Sequence, residues 1–568
     1  LTNLTLTSSQ SAAEIGTLLA AGAVANTSVS VNASGMSTAQ LVAVNGGIAK
    51  IAANGITGSV ALIANGTDIT NTVIDNLLGK TSTDATVDVT ANDAADNELT
   101  SLSTAIAKVD SITGLTVTGT QPPAEIINLL GKATDASVTA SGVGLPTMDA
   151  TDLAAVADNI SGVQADGVTG AFTVTSALSA AQIDVLLGKT ATGATVTVDT
   201  TGMSAAQLSA VEDNIATVDD INNLSITSSQ TAAEINALLL KAVDDDAVVN
   251  ASGMSAAQLS VVEDQVAQIN ASGLTNLTLT SSQSAVEIGN LLADDSVANL
   301  SVSVNANSMS TAQLVAVNVG TAKIAANGIT GAVALDADGT GITAAVVTSL
   351  LGKIDAGAVV TVDATSAATD ILEALSGSIA KVDNITSLTV TATEETAEIG
   401  NLLGKATDGA VNAAGMSAAD LAAVADNISG VQADGVTGAF TVTSALSAAQ
   451  IDVLLGKTAT GATVTVDTTG MSAAQLSAVE DNTAKVDDIN NLGITSSQTA
   501  AEITALLGKA AGNDAVVNAS GMSAAQITAV NGAKATIAAG GITNLTLTSS
   551  QTIAEITALL GNAAVGAT

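Results

Sequence analysis

Two rhythms alternate along the chain. Short segments switch between apolar and polar residues at every position: Leu4 and Leu6 against Thr5 and Thr7, or Val196 and Val198 against Thr195, Thr197 and Asp199. A period of two marks a strand with one buried face. Each such segment leads into a stretch like Ile235, Leu238 and Leu239, whose apolar residues recur at helical spacing. That pattern predicts a helix burying one stripe.

The strand-plus-helix units come in two types. The first reads Leu224-Ser-Ile-Thr-Ser-Ser, then Thr231-Ala-Ala-Glu234 and the apolar stripe. Thr231 and Glu234 form a capping box, whose two side chains satisfy free amides at a helix start. The box returns as Ser11/Glu14, Ser179/Gln182 and Thr499/Glu502. These helices commonly close on Leu-Leu-Gly-Lys, as at 186–189, 402–405 and 506–509. The glycine is expected in the left-handed conformation past a helix end, and the lysine is expected to complement the negative end of its own helix. The second type reads Val248-Val-Asn-Ala-Ser-Gly253-Met254-Ser255-Ala-Ala-Gln258. Ser255 and Gln258 form the box, and Gly253 allows a sharp turn. Met254 recurs as Met36, Met203, Met309, Met416, Met471 and Met522, which suits a flexible plug beside each helix start.

Repetition exists on a larger scale too. Residues 152–214 are identical to residues 420–482, 63 in a row at an offset of 268. The segment at Leu1 returns at Leu274 and again at Ile542. This divides the chain into super-repeats 1–273 and 274–541 and the start of a third at 542–568. A chain that starts at Leu1 and stops inside a third copy is expected to be a fragment or a processed product. Ten strand-plus-helix units fit in the first super-repeat, and roughly 21 in the whole chain.

Strand, turn, helix, turn, strand predicts parallel pairing with right-handed crossovers. Persistent alternation in the strands predicts helices on one face only, because a sheet covered on both faces shows unbroken apolar runs. The expected fold is therefore α/β: a single-sided parallel β/α solenoid, with one continuous sheet. Strands about 4.8 Å apart beneath helices about 8–10 Å apart should curve it into an open superhelix or twisted horseshoe. The run Leu1-x-x-Leu4-x-Leu6-x-x-Ser9 resembles the leucine-rich-repeat pattern, with Ser where that family places Asn or Cys. The long Ala-, Thr-, Asn- and Gly-rich acidic repeats are also similar in style to giant repetitive secreted surface proteins of aquatic bacteria, including marine cyanobacteria. That likeness implies an extracellular location at a cell surface.

Composition narrows the chemistry. The chain has no His, no Cys, no Arg, no Trp and no Tyr; its 14 basic residues are all Lys. The usual general base, thiolate nucleophiles, His/Cys metal sites and bidentate Arg clamps are thereby excluded, and an enzyme is not expected. A net charge of −39 excludes the basic tracks that bind nucleic acid. No apolar run is long enough to span a bilayer. With 47% hydrophobic residues, the chain can nevertheless bury a continuous core of Ala, Val, Ile and Leu.

Two features offer candidate sites. Thr pairs recur on the polar strand face: Thr5/Thr7, Thr116/Thr118, Thr173/Thr175, Thr278/Thr280, Thr389/Thr391, Thr441/Thr443 and Thr546/Thr548. Threonine suits a half-exposed strand, and such rows also resemble the faces of ice-binding solenoids. Acidic residues gather in turns: Asp110, Asp219-Asp220, Asp244 to Asp246, Asp383, Asp487-Asp488 and Asp336-Ala-Asp338. Carboxylates in turns are the ligands hard cations take, so Asp336, Asp338, Asp219, Asp220, Asp487 and Asp488 are the candidate calcium residues. No cofactor is required, and calcium is the one candidate. The expected function is an extracellular structural or adhesive array forming a fibre, coat or matrix, with copies of itself or other surface polymers as partners. The alternative is a solenoid binding glycan, calcium or ice on its Thr/Asn/Asp sheet face.

Overall fold

The computed structural model describes residues 1–243 and 246–565; of the acidic run at 244–246, Asp244 and Asp245 lie outside the described residues. The chain divides into two compact units. The first comprises Leu1–Asn276 with Asp295–Ala298, the second Leu277–Asp294 with Asn299–Thr568.

The first unit begins with strand β1 (Leu4–Leu6), helix α1 (Ala12–Ala20), strand β2 (Val29–Asn32), helix α2 (Thr38–Gly46), a 3-10 turn over Ile48–Lys50 and strand β3 (Ile51–Thr57). β1, β2 and β3 pair in parallel, in chain order. The chain then passes Gly58 and enters strand β4 (Ser59–Ile63), the first strand of the next sheet, followed by helix α3 (Asn71–Lys80). This cycle fills both units, giving five three-stranded parallel sheets in each. Each unit is a β/α solenoid. Strand faces alternate between buried and exposed, as in Val29–Asn32 and Ser59–Ile63. The helix stripes, such as Ile15 with Leu19 and Ile235 with Leu238 and Leu239, close the core. The expected one-sided β/α coil is observed.

The expected continuous sheet is not. Within each unit, the third strand of a sheet runs into a single left-handed residue before the chain continues into the next coil. The hinge is Gly58, Gly114, Gly170 or Asn223 in the first unit and Gly331, Ser387, Gly438, Asn491 or Asn544 in the second, all at positive φ. Gly170 shows why a side chain is excluded at some of them: an added Cβ would lie 2.3 Å from the Ser141 carbonyl oxygen. Each hinge lets one long extended segment pair backward with its first half and forward with its second. Ile51, Ile56 and Thr57 pair with the preceding coil. Ile56 bridges forward to Thr81, and Ser59–Ile63 pairs with Thr86–Thr90.

Three local expectations hold and one does not. The capping boxes at Ser11, Ser179, Thr231, Ser255 and Thr499 are all formed. Gly253 is left-handed at φ +74°. The recurring methionine precedes the N-cap, and Met148 joins the other seven there, ahead of N-cap Asp149. The Leu-Leu-Gly-Lys glycine, however, is right-handed: Gly188, Gly404 and Gly508 have φ of −64°, −62° and −66°. Leu240 stands at the same point with φ −60°, so glycine is not required there. The helix runs on for one more residue, and its lysine carbonyl accepts from the preceding coil, as Lys241 O does from Ile221 N at 2.8 Å.

Candidate functional site

Stacked coils leave polar backbone groups unpaired wherever the chain turns between strand and helix. A buried, unpaired peptide group costs about 1–3 kcal/mol. Four recurring side chains answer this need, each reaching from one coil to the one before.

Lysine is the first. Ten lysines donate to a backbone carbonyl 23 to 29 residues earlier, among them Lys50 to Val24, Lys189 to Val163, Lys241 to Val218 and Lys509 to Val486; apart from Lys323, whose partner is Asp294 O, these bonds measure 2.5 to 2.9 Å. Their own helix ends are not the target. Lys485 also pairs with Asp434 at 3.0 Å.

Glutamine of the second-type capping box is the next. Gln207 Oε1 accepts from the N-cap Ser204 N–H at 2.8 Å, while its Nε2 donates to Ser176 O and Leu178 O at 3.1 and 2.6 Å. Gln40, Gln258, Gln313, Gln475 and Gln526 repeat the arrangement. An amide offers an acceptor and a donor on one fork, whereas a carboxylate only accepts. This explains why Gln, and not Glu, recurs in these boxes.

Threonine closes eight of the ten sheets, and Asn222 and Asn490 end the other two. Thr57, Thr113, Thr169, Thr275, Thr330, Thr386, Thr437 and Thr543 donate to the carbonyl of a valine in the preceding strand at 3.0 to 3.5 Å.

Aspartate is the fourth. Asp110, Asp219, Asp383 and Asp487 accept the strand N–H of Val87, Val196, Val360 and Val464 at 2.7 to 2.8 Å. Asp135, Asp246, Asp408 and Asp514 accept the N–H of the hinge residues Gly114, Asn223, Ser387 and Asn491 at 2.6 to 3.1 Å.

The candidate calcium residues fall in three separate places. Asp219 and Asp487 each have one carboxylate oxygen on a strand N–H. Asp220 and Asp488 are exposed strand residues beside Thr197 and Thr465. Asp336 and Asp338 do come together, with Asp363 as Asp336's strand partner. A hydrogen bond shared with Asp336, and then its charge, hold the Asp338 carboxyl above the ordinary aspartate value. Asp363 is held below it, chiefly by the Thr365 hydroxyl. Among the described residues, no group of three or more acidic side chains is arranged to hold a metal ion.

The threonine rows are also thinner than the sequence pattern suggests. Thr5, Thr116, Thr173, Thr278, Thr389, Thr441 and Thr546 are exposed on the strand face. Their partners Thr7, Thr118, Thr280, Thr391 and Thr548 turn to a following Gln or Glu, giving it both N–H and hydroxyl. Among the described residues, no helix is long and apolar enough to cross a membrane.

The coil geometry defines a repeat protein of the parallel β/α solenoid class. No family model matches the chain, and no curated protein matches it. Among solved structures, it is similar to the Rad7 and Elc1 complex of yeast at 11% identity over 74% of this chain and 87% of that one, with a TM-score of 0.16. It is also similar to the leucine-rich repeat-containing protein LegL7 from Legionella pneumophila at 14% identity, over 56% and 89%, with a TM-score of 0.12. Superpositions this poor carry no argument, so the class rests on the coils themselves.

Proposed function

We propose that the chain is a non-catalytic interaction array, displayed outside the cell as part of a structural or adhesive fibre, coat or matrix. One observation carries the reading: the chain's recurring polar side chains are directed along the stack, coil to coil. Lys, Gln, Thr and Asp each satisfy backbone groups of a neighbour, which leaves little of the usual chemical repertoire free for a reaction. Solenoids of this kind gain stability by stacking and present long surfaces to partners. The 63-residue identity between super-repeats fits a chain whose purpose is served by length. Copies of itself or other surface polymers are the partners in this reading.

Electron microscopy of the purified chain in physiological buffer tests it. The expected result is filaments or sheets that form without added ligand and grow with concentration. Monodisperse particles at every concentration would overturn the polymer reading. Calcium is not required in this reading, because the turn aspartates Asp219 and Asp487 already cap backbone amides. The melting temperature is expected to be the same in millimolar calcium and in chelator, and a rise of several degrees would contradict that.

A further inference from the structure

Small grooves open between a second-type coil and the first-type coil after it, as at residues 200–230 and 364–394, and the copies of this junction differ in one informative way. In the junction at residues 96–121, Asp96 opens the helix Asp96–Thr104, and its carboxylate lies across the groove. Its Oδ1 accepts from Thr120 Oγ1 at 2.9 Å and from Gln121 Nε2 at 2.7 Å. The groove is thus filled by the chain's own carboxylate.

In the junction at residues 200–230, the position of Asp96 is taken by Ala205, while the donors remain. Gln230 is only 4% exposed. Its Oε1 accepts from Thr227 N–H and Oγ1 at 2.8 and 3.2 Å, which fixes the amide and leaves Nε2 with no acceptor among the described residues. Ser229 stands where Thr120 does. Both line an open groove of about 340 Å³, with the Ser225 hydroxyl at its side and Met203 and Leu208 as apolar wall. The helix Ala205–Asp213 starts there, adding the partial positive charge of its first turn. The arrangement returns 268 residues on as Ala473, Ser497 and Gln498, again 4% exposed and fixed by Thr495, with Gly493 where Ser225 stands. It returns once more as Ala524, Ser550 and Gln551, 8% exposed and fixed by Thr548, with Thr546 at that place.

We infer that these junctions bind a ligand carboxylate in the place the Asp96 carboxylate occupies in the first. The surrounding hydroxyls and small apolar wall favour a carboxylate carried by a sugar, that is, a uronic acid unit. The chain supplies its own negative counterpart. At residues 364–394 the buried amide is replaced by Glu394, 5% exposed, whose oxygens take Thr391 N–H at 2.6 Å and Thr393 Oγ1 at 2.8 Å. That groove offers a like charge in place of the amide donor and rejects a carboxylate. The inference does not depend on whether the chain polymerises.

Calorimetric titration of the full chain with a galacturonic acid trimer, in chelator, tests it. A galactose trimer and a glutamate tripeptide serve as comparison arms. The expected result is saturable binding of the uronate at more than one site per chain, with at least about tenfold weaker binding of both comparisons. The triple variant Ala205→Asp/Ala473→Asp/Ala524→Asp, which copies Asp96, should lower uronate affinity about tenfold or more with the melting temperature unchanged. Gln230→Glu/Gln498→Glu/Gln551→Glu, which copies Glu394, should do the same. No uronate binding, affinity unchanged in either variant, or tighter binding of the peptide would overturn the inference.

Discussion

The third strands of the sheets come in two lengths, and comparing them explains where the recurring turn aspartates sit. Long ones, such as Ile51–Thr57 and Val163–Thr169, bulge outward through a left-handed residue, Asn54 or Asp166. Short ones, such as Ser111–Thr113 and Asp220–Asn222, lack two residues of that bulge. In the long form the ladder starts early, with Ala136 facing Val163. The residue after the hinge is held by a neutral side chain, as Ser141 Oγ holds Ala171 N–H at 2.7 Å. In the short form the missing backbone leaves two N–H groups without a carbonyl, and an aspartate takes each. Asp219 and Asp246 do this at one coil, Asp487 and Asp514 at its counterpart. At these coils the turn aspartates are paired with the N–H groups that the shorter strand leaves exposed.

The comparison can be broken most severely at the hinges. Gly170→Ala places a methyl against the Ser141 carbonyl in a left-handed residue and should cost about 3 kcal/mol of local stability. Asn223→Ala, at the hinge of a short strand, should cost about 1 kcal/mol. Amide exchange of the flanking strands measures both. Next in size are the aspartates. Asp219→Ala or Asp487→Ala leaves a strand N–H unpaired and should cost about 1–3 kcal/mol. Asp166→Asn in the exposed bulge keeps a residue suited to the left-handed backbone and should change stability by less than about 0.5 kcal/mol. Equal effects at the two positions would dissolve the distinction.

Smaller effects separate the two coil types. Gln207→Glu loses the donor that serves Ser176 O and Leu178 O and sets a charge against them, for about 1–2 kcal/mol. Glu234→Gln keeps its bond to Thr231 N–H and should be close to neutral. Urea unfolding followed by circular dichroism distinguishes them. The smallest effect is in pH. Backbone hydrogen bonds at the box hold the carboxyls of Glu14, Glu234, Glu502 and Glu555 below the ordinary glutamate value. A lowered folded value contributes stability above the unfolded pKa of about 4.3, lost as pH falls from there through the folded value. Helices with a Glu box should lose exchange protection over that acid range. Helices with a Gln box, such as Ala256–Asp264, should not.

Much of this fold is legible locally. Strand alternation, helix stripes and capping boxes are set by residues within a few positions of one another, so Val196 with Val198, or Thr231 with Glu234, reveal them directly. The hinges were missed because Gly, Asn and Ser share the position, and only the left-handed backbone unites them. The roles of Lys241, Gln207 and Asp219 were missed for a different reason: their partners lie a whole coil away. A signal existed all the same. Val-Asp-x-Ile occurs only where the bulge residues are absent, and Gln is the usual box residue beside the methionine turns. The groove at Gln230 was invisible in sequence, because its meaning depends on comparing it with the groove that Asp96 fills.

Hydrogen exchange at the Val196 and Val464 amides tests the central claim most directly, since these N–H groups have aspartate carboxylates as their acceptors. Both should be as protected as neighbouring strand amides in the native chain, and each should become labile when Asp219 or Asp487, respectively, is replaced by Ala. Rapid exchange in the native chain, or protection that survives the substitutions, would contradict the account.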